Sequence, residues 1–198
     1  AALEASEKLE ELNVKRRGIQ DAIFTEACQQ AEELANDRVL VVSSDGWNHG
    51  VIGIVASKLV EKYKKPVFII GERGEEATGS ARSFGDFSAA DAVRAADDII
   101  IKGGGHGAAA GVTLATKKIG DFRQRVNEFY DSLQLTSQER YLLPRADVEI
   151  DDFSEITEEL IENLAKMEPF GNGNPEPVLK ITRVSVLSMR RMGADGQH

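Results

Sequence analysis

The chain contains the stretch Lys102-Gly103-Gly104-Gly105-His106-Gly107-Ala108-Ala109-Ala110-Gly111, in which five residues are glycine and three are alanine. Glycine loses more conformational freedom on folding than any other residue, so such a cluster marks a sharp bend or a close backbone approach. Exposed amides in a glycine-rich turn can bind an anion, and His106 could add a hydrogen bond or a proton. The alternative is a tight turn between packed elements with an ordinary surface histidine, and composition leaves both open.

Two known glycine motifs are excluded by their context. Gly103, Gly105 and Ala108 match the letters of a dinucleotide-binding G-x-G-x-x-G/A motif, which must follow a strand and open a helix. Here a helix-like segment (88–100) precedes the glycines and a strand-like segment (111–115) follows them. The G-K-S/T ending of a phosphate-binding Walker loop is absent from the sequence.

The composition is that of an ordinary globular protein. The 198 residues are 41% hydrophobic and 29% charged, with a net charge of −9, so nucleic acid would need a local basic groove. No apolar run approaches the roughly 20 residues of a membrane helix, and the first residues show no signal-peptide pattern. Cys28 is the only cysteine, which excludes an internal disulfide. We therefore expect a cytoplasmic protein that does not contact a membrane.

The periodicity of apolar residues predicts an α/β fold with a mixed sheet flanked by helices. Residues 1–36 form a predicted long helix whose stripe runs from Leu9 and Leu12 to Leu34, and which connects this chain to something else. A domain over 37–135 alternates short strands and helices. Its predicted strands are 38–43, 67–70, 78–83 and 109–115, and its predicted helices are 51–63, 88–100 and 118–133, with a glycine loop between the helix-like segment 88–100 and the last strand.

Candidate ligand-binding residues follow the predicted strands. Trp47 and His49 lie after the first strand, where ligands of such sheets bind, although Trp47 could equally cover the core. Asp45 and His49 could reach one metal ion, but two ligands are too few for a site. Alternation places Ser80 and Arg82 on one face of a small polar strand, where they could share an anion. The competing interpretation is an edge strand with a surface arginine.

Residues 140–198 form a second predicted unit, the beginning of an OB-like β domain. A strand (146–150), an acidic helix (154–167) and a proline-fixed loop (168–177) are followed by a strand (178–189) and a hairpin turn at 193–196. One strand and a bare turn cannot close a β domain, so we expect the chain to be truncated at this end. The chain carries no recognisable catalytic metal cluster, serine elbow or cysteine nucleophile, which is typical of half of an enzyme.

Four blocks of sequence, in order, carry a resemblance to a known family. They are Gly46-Trp-Asn-His-Gly-Val-Ile-Gly-Ile-Val-Ala-Ser57, Gly79-Ser-Ala-Arg-Ser83, Gly103-Gly-Gly-His-Gly-Ala-Ala-Ala-Gly111 and Glu168-Pro-Phe-Gly-Asn-Gly-Asn-Pro-Glu-Pro177. Together they resemble the RecJ family of the DHH phosphoesterase superfamily, which are single-strand-specific 5′→3′ DNA exonucleases. The glycine-histidine block alone would indicate only a DHHA1 domain.

The resemblance implies how the chain is divided and which residues bind DNA. Residues 1–36 would be the connecting helix from an absent DHH domain, 37–135 the DHHA1 domain and 140–198 a partial OB-fold. The resemblance assigns Ser80 and Arg82 to a pocket for the 5′-phosphate and Gly104, Gly105 and His106 to contacts beside the scissile phosphate. Ser83 is a further expected substrate-binding residue. Gly103 makes the usual two glycines three, and Gly107 stands where a bulkier residue is common, which would loosen the loop.

The resemblance also implies a cofactor and partners. The family's Mn²⁺ or Mg²⁺ ligands lie in the DHH domain, so we expect no metal in this chain and no hydrolysis by it alone. The implied partners are single-stranded DNA with a 5′ end and other single-strand-binding or repair proteins. Arg183, Arg190 and Arg191 could follow the DNA backbone, or they could form a solvated strand face.

Three alternatives stay open at this point. A phosphodiesterase acting on short oligonucleotides or cyclic dinucleotides would share the glycine-histidine block but would not need the second unit. An RNA-binding DHHA1 module, such as that of alanyl-tRNA synthetases, would bind without a catalytic partner. The acidic helix 154–167 could instead serve mainly for protein docking.

Overall fold

The computed structural model describes residues 2–135, 141, 146–171 and 173–190, and the chain divides into the compact units Ala1–Leu142 and Leu143–His198. The helices and strands of the first unit are α1 (Ala2–Glu33), β1 (Leu40–Asp45), α2 (His49–Tyr63), β2 (Val67–Arg73), β3 (Glu76–Arg82), α3 (Ala89–Ala95), β4 (Ile100–His106), β5 (Ala109–Ala115), a 3-10 turn (Thr116–Lys118) and α4 (Ile119–Ser132). Among these helices and those of the second unit, no described helix is long and apolar enough to cross a membrane.

The sheet of the first unit is mixed, as predicted. Its five strands lie in the order β1-β2-β3-β5-β4. The β1–α2–β2 crossover makes β1 and β2 parallel, whereas β2–β3, β3–β5 and β4–β5 are antiparallel pairs. The edge strand β4 therefore lies three strands away from the crossover.

One face of the sheet is covered along its length by α3 and α4. Phe68 of β2 packs edge-on against Phe122 of α4, with ring centroids 5.1 Å apart, and neither side chain is exposed. Each fully buried aromatic side chain of this kind stabilises the fold by roughly 1.5–3 kcal/mol. The helix α3 begins at Ala89, after the N-cap residue Ser88, whose hydroxyl accepts the backbone N–H of Asp91. It ends at Ala95, before the predicted end at residue 100, because the chain turns there to enter β4.

The other face of the sheet is covered only over β1 to β3. The helices α1 and α2 pack there on alternate residues of β1 and β2, such as Leu40 and Ile69. The predicted long helix is confirmed, but its predicted stripe is only half buried. Packing against the core begins at Ile19, and Leu9 and Leu12 are 68% and 49% exposed.

The regular elements of the second unit are shorter than predicted. They are β6 (Val148–Ile150), a 3-10 turn (Phe153–Glu155), α5 (Glu158–Ala165) and β7 (Leu179–Ile181), and β6 and β7 pair in parallel. The predicted strand 178–189 is wrong beyond Ile181, since Arg183 bends the chain with a φ of 58° and residues 184–190 pair with no described strand. The predicted hairpin turn at 193–196 lies outside the described residues.

Candidate nucleic-acid interface

The glycine stretch forms a strand and not the predicted loop. Gly103, Gly104 and Gly105 belong to β4 and pair in register with Val112, Gly111 and Ala110 of β5. Only Gly107 and Ala108 form the turn that connects the two strands. Because β4 is an edge strand, only alternate backbone N–H and C=O groups of the glycines can bond to β5, and the site is a strand surface and not an amide-lined bend.

Close contacts explain two of the three consecutive glycines. A Cβ on Gly103 would lie 2.5 Å from Val93 Cγ1 of α3, on the covered face of the sheet. A Cβ on Gly105 would lie 2.3 Å from the backbone oxygen of Ala109. Gly104 differs, since a Cβ there would meet nothing within 4 Å. Gly103 and Gly105 are thus required for packing, and Gly104 leaves an open surface.

The strand register brings the predicted phosphate-binding residues onto one surface. Arg82 pairs with Ala109, which pairs with His106, and directly paired residues of a sheet point to the same side. The next row along the sheet runs from Ser80 through Gly111 to Gly104. We call this surface of β3, β5 and β4, on the side of α2, the open face. Arg82 and His106 lie two strands apart on it, about 10 Å between backbones.

Arg82 and Ser80 converge, as alternation along the strand predicts. The Arg82 Nη1 atom donates to Ser80 Oγ at 3.2 Å and to the backbone oxygen of Ala81 at 2.8 Å. The helix α2 approaches both residues at Gly53, where an added Cβ would lie 3.1 Å from Ser80 Oγ and 3.3 Å from Arg82 Nη2. Gly53 was missed by the sequence analysis, although a glycine inside a helix costs about 1 kcal/mol and is a detectable signal.

Ser83 connects the elements around the site. Its hydroxyl donates to the backbone oxygen of Gly107 and accepts the N–H of Ala89 at 3.0 Å. Its own N–H donates to the oxygen of Ala108 at 3.0 Å. These bonds join the β4–β5 turn to the start of α3, so Ser83 positions the turn next to His106, and its contact with DNA stays a prediction.

Trp47 and His49 have different surroundings. Trp47 is 5% exposed and its Nε1–H donates to Glu26 Oε2 of α1 at 2.8 Å, so it covers the core. His49 is exposed at the start of α2, and its ring lies beside Gly71, where an added Cβ would be 3.2 Å from Nε2. The residue pair Asp45 and His49 is not part of any group of three or more metal-binding side chains among the described residues.

The predicted arginines of the second unit are only partly described. Arg183 and Arg190 are exposed and lie after β7, outside any strand. Arg191 lies outside the described residues. A contact of these three arginines with DNA stays a prediction, and it no longer has the support of a regular strand face.

Sequence comparison with protein families assigns both units. Residues 36–132 match the model of the DHHA1 domain, and residues 146–198 match the model of the RecJ OB domain. The combination of the two is decisive, because the second model is specific to one group of DHHA1 proteins. The chain belongs to the RecJ family.

Relatives of known identity cover the whole chain. The single-stranded-DNA-specific exonuclease RecJ of Bacillus subtilis (strain 168) is 34% identical over 201 residues, and RecJ of Thermus thermophilus is 29% identical over 194. The alignments include 100% and 96% of this chain but only 25% and 27% of those relatives. The chain therefore spans about a quarter of the length of these RecJ proteins.

Solved structures agree with the fold. The crystal structure of RecJ from Thermus thermophilus in complex with Mn²⁺ superposes with a TM-score of 0.71, over 88% of this chain and 25% of that one, at 28% identity. Its complex with Mg²⁺ gives a TM-score of 0.67 over 86% of this chain. The long helix, the mixed sheet and its helices are thus those of RecJ.

The metals of those RecJ structures do not fit the residues described in this chain. Two-metal hydrolytic sites need several converging Asp, His or Glu side chains. The residues described here contain no group of three or more His, Cys, Asp or Glu that could hold an ion. The open face offers an imidazole, a guanidinium and a hydroxyl, which suit a phosphate and not a divalent cation.

Proposed function

We propose that this chain is the DNA-holding part of a RecJ-type single-strand-specific 5′→3′ exonuclease. The observation that carries the proposal is the placement of Arg82, Ser80 and His106 on one surface that none of the described helices covers over β5 and β4. The Arg82 guanidinium and the Ser80 hydroxyl, 3.2 Å apart, could both donate hydrogen bonds to the oxygens of a terminal phosphate. His106, two strands away, would contact the neighbouring, scissile phosphate.

The flat middle of the open face supports a polymer ligand. Gly111 and Gly104 bring no side chain to it, and every residue of β4 from Ile101 to His106 is exposed. Glycine in a strand often marks a place where another backbone approaches closely. A single nucleic-acid strand could therefore lie against the sheet, whereas the wider duplex would be kept away by α2.

The proposed division of labour follows the sequence. Residues 1–36 would connect the chain to a DHH domain that binds Mn²⁺ or Mg²⁺ and performs the hydrolysis. Residues 37–135 would hold the 5′ end, and 140–198 would bind the following single strand with the help of Arg183, Arg190 and Arg191. Docking of repair proteins on the acidic helix α5 is a separate prediction that needs its own partner.

The proposal is tested by the preference for a 5′-phosphate. The Kd of this chain would be measured by fluorescence anisotropy for 3′-labelled oligothymidylates with a 5′-phosphate or a 5′-hydroxyl. We expect Arg82→Gln to remove the preference, a loss of roughly tenfold or more for the phosphorylated oligomer, because hydrogen bonds to charged groups contribute about 1.5–3 kcal/mol. Arg94→Gln is the matched control, since α3 lies on the opposite face. A preference that survives Arg82→Gln removes Arg82 from the pocket.

A further inference from the structure

A second cation lies on the open face, at the far end of β4 from His106. Lys102 pairs with Thr113, which pairs with Thr78, in the row after that of Ser80, Gly111 and Gly104. Gly103 next to it points to Val93 on the covered face, so Lys102 points to the open one. Lys102 is exposed, and its ammonium makes no ion pair with any residue that the structure describes.

The spacing of the charges along β4 suits a chain of phosphates. Lys102 and His106 are four residues apart, about 13 Å along the strand. Gly104 lies midway and carries no side chain, so a strand held at Arg82 can cross the sheet and meet Lys102 as the next cation. Arg82 and Lys102 are the cations in the outer rows of the open face, and the row between them has glycine on both β5 and β4. Glu76 of β3 lies one row beyond Lys102 on the same face.

We propose that Lys102 binds an internal phosphate of the single strand and forms a second phosphate subsite beside the one at Arg82. This inference rests on the proposed function, since it takes the terminal phosphate to lie at Arg82 and Ser80. The subsite reads no base, because an ammonium on a flexible stem contacts phosphate as a point charge. A contact with Lys102 therefore strengthens the binding of an oligonucleotide, whereas a mononucleotide has no second phosphate that could reach this lysine.

Lys102 could instead protect the edge of the sheet from pairing with another chain. Lysine is common on edge strands because its charge prevents pairing with other chains, and β4 is an edge of the sheet. That role predicts self-association of a Lys102→Gln variant with unchanged binding of DNA. Analytical ultracentrifugation of the variant distinguishes this outcome, which would overturn the second subsite.

The test uses this chain with thymidine 5′-monophosphate and with hexathymidylate carrying a 5′-phosphate or a 5′-hydroxyl. We expect Lys102→Gln to weaken both hexamers by the same factor, about fivefold, and to leave the mononucleotide unchanged in an NMR titration. The slope of log K against log salt should fall by about 0.7, the value for one phosphate contact on a single strand. Lys102→Arg should retain the binding, and Lys15→Gln, on the exposed half of α1, should have no effect.

Each outcome decides one of the two proposals. If Lys102→Gln changes neither hexamer, or lowers only the preference for the 5′-phosphate, the second subsite is wrong while the site at Arg82 stands. If Arg82→Gln leaves the 5′-phosphate preference intact, the proposed function fails whatever Lys102 does. A wild-type chain that binds neither hexamer overturns both.

Discussion

The glycines around the open face matter as much as its charged side chains. Gly103 and Gly105 allow β4 to lie against Val93 and Ala109, and Gly53 allows α2 to lie against Ser80 and Arg82. Gly104 performs neither task, since the space above it is empty. Neighbouring glycines of one strand therefore have different surroundings, because successive residues of a strand point to opposite faces.

Alanine substitutions at two neighbouring glycines should separate these tasks. Gly103→Ala places a methyl group 2.5 Å from Val93 Cγ1 and should lower the free energy of unfolding by roughly 1–3 kcal/mol, the usual cost of overpacking. Gly104→Ala meets nothing and should leave stability equal or slightly higher, but it should weaken binding of single-stranded DNA. Urea unfolding and anisotropy measure the two effects. Equal losses of stability in both variants would contradict the assignment of the two faces.

Ion pairs between elements fix the short helix α3 and the strand that follows it. Arg125 of α4 donates through Nη1 to the backbone oxygen of Ala95 at 2.9 Å and to Asp98 Oδ1 at 2.6 Å, and through Nη2 to Asp98 Oδ2 at 3.1 Å. The hydrogen bonds from Arg125 hold the pKa of Asp98 below its usual value of 3.8. This contact lies where α3 ends and the chain turns into β4, the strand that carries Lys102 and His106.

The lowered pKa of Asp98 predicts an acid-sensitive contribution to stability. A carboxyl group whose folded pKa is below its unfolded pKa stabilises the fold above the unfolded value, and this stabilisation is lost as the pH falls through the folded value. Below about pH 4, Asp98→Asn should therefore show a weaker loss of stability with falling pH than the wild type. Asp97→Asn, at the exposed neighbouring position, is the control. The measurement is thermal unfolding of the three proteins between about pH 6 and pH 2.5. Identical changes of stability with pH in all three would exclude the contribution of Asp98.

The molecule is acidic as a whole but carries several basic side chains on the open face. Its net charge is −9, yet Lys102, His106 and Arg82 share the open face, and electrostatic attraction of DNA depends on the local field. The second unit matches the RecJ OB domain and adds Arg183 and Arg190. The proposed function assigns these cations to DNA, whereas the described residues contain no group of metal ligands.

Binding and hydrolysis should accordingly be separable in this chain. We expect the purified chain with Mn²⁺ to release no nucleotide from single-stranded DNA, and EDTA to leave its Kd for DNA unchanged, because Arg82 and Lys102 need no metal to bind phosphate. Nucleotide release is measured by gel electrophoresis of a labelled oligomer. Activity that co-purifies with the wild type and disappears in Arg82→Gln would contradict the prediction, whereas a contaminating nuclease would be equal in both preparations.

Much of the fold follows from local sequence, and the site does so only in part. Apolar periodicity is a property of neighbouring residues, so it predicted α1, α2, α4 and most strands, and alternation in β3 predicted that Ser80 and Arg82 share a face.

The strand β4 was predicted as a loop because glycine is a poor strand former. The contacts that require it there, with Val93 and Ala109, come from α3 and β5. Apolar alternation likewise overestimated β7, since a strand needs a partner as well as a pattern. Which cations meet on the open face was decided by the register of β3, β5 and β4, because pairing between strands is a long-range interaction that no local pattern contains.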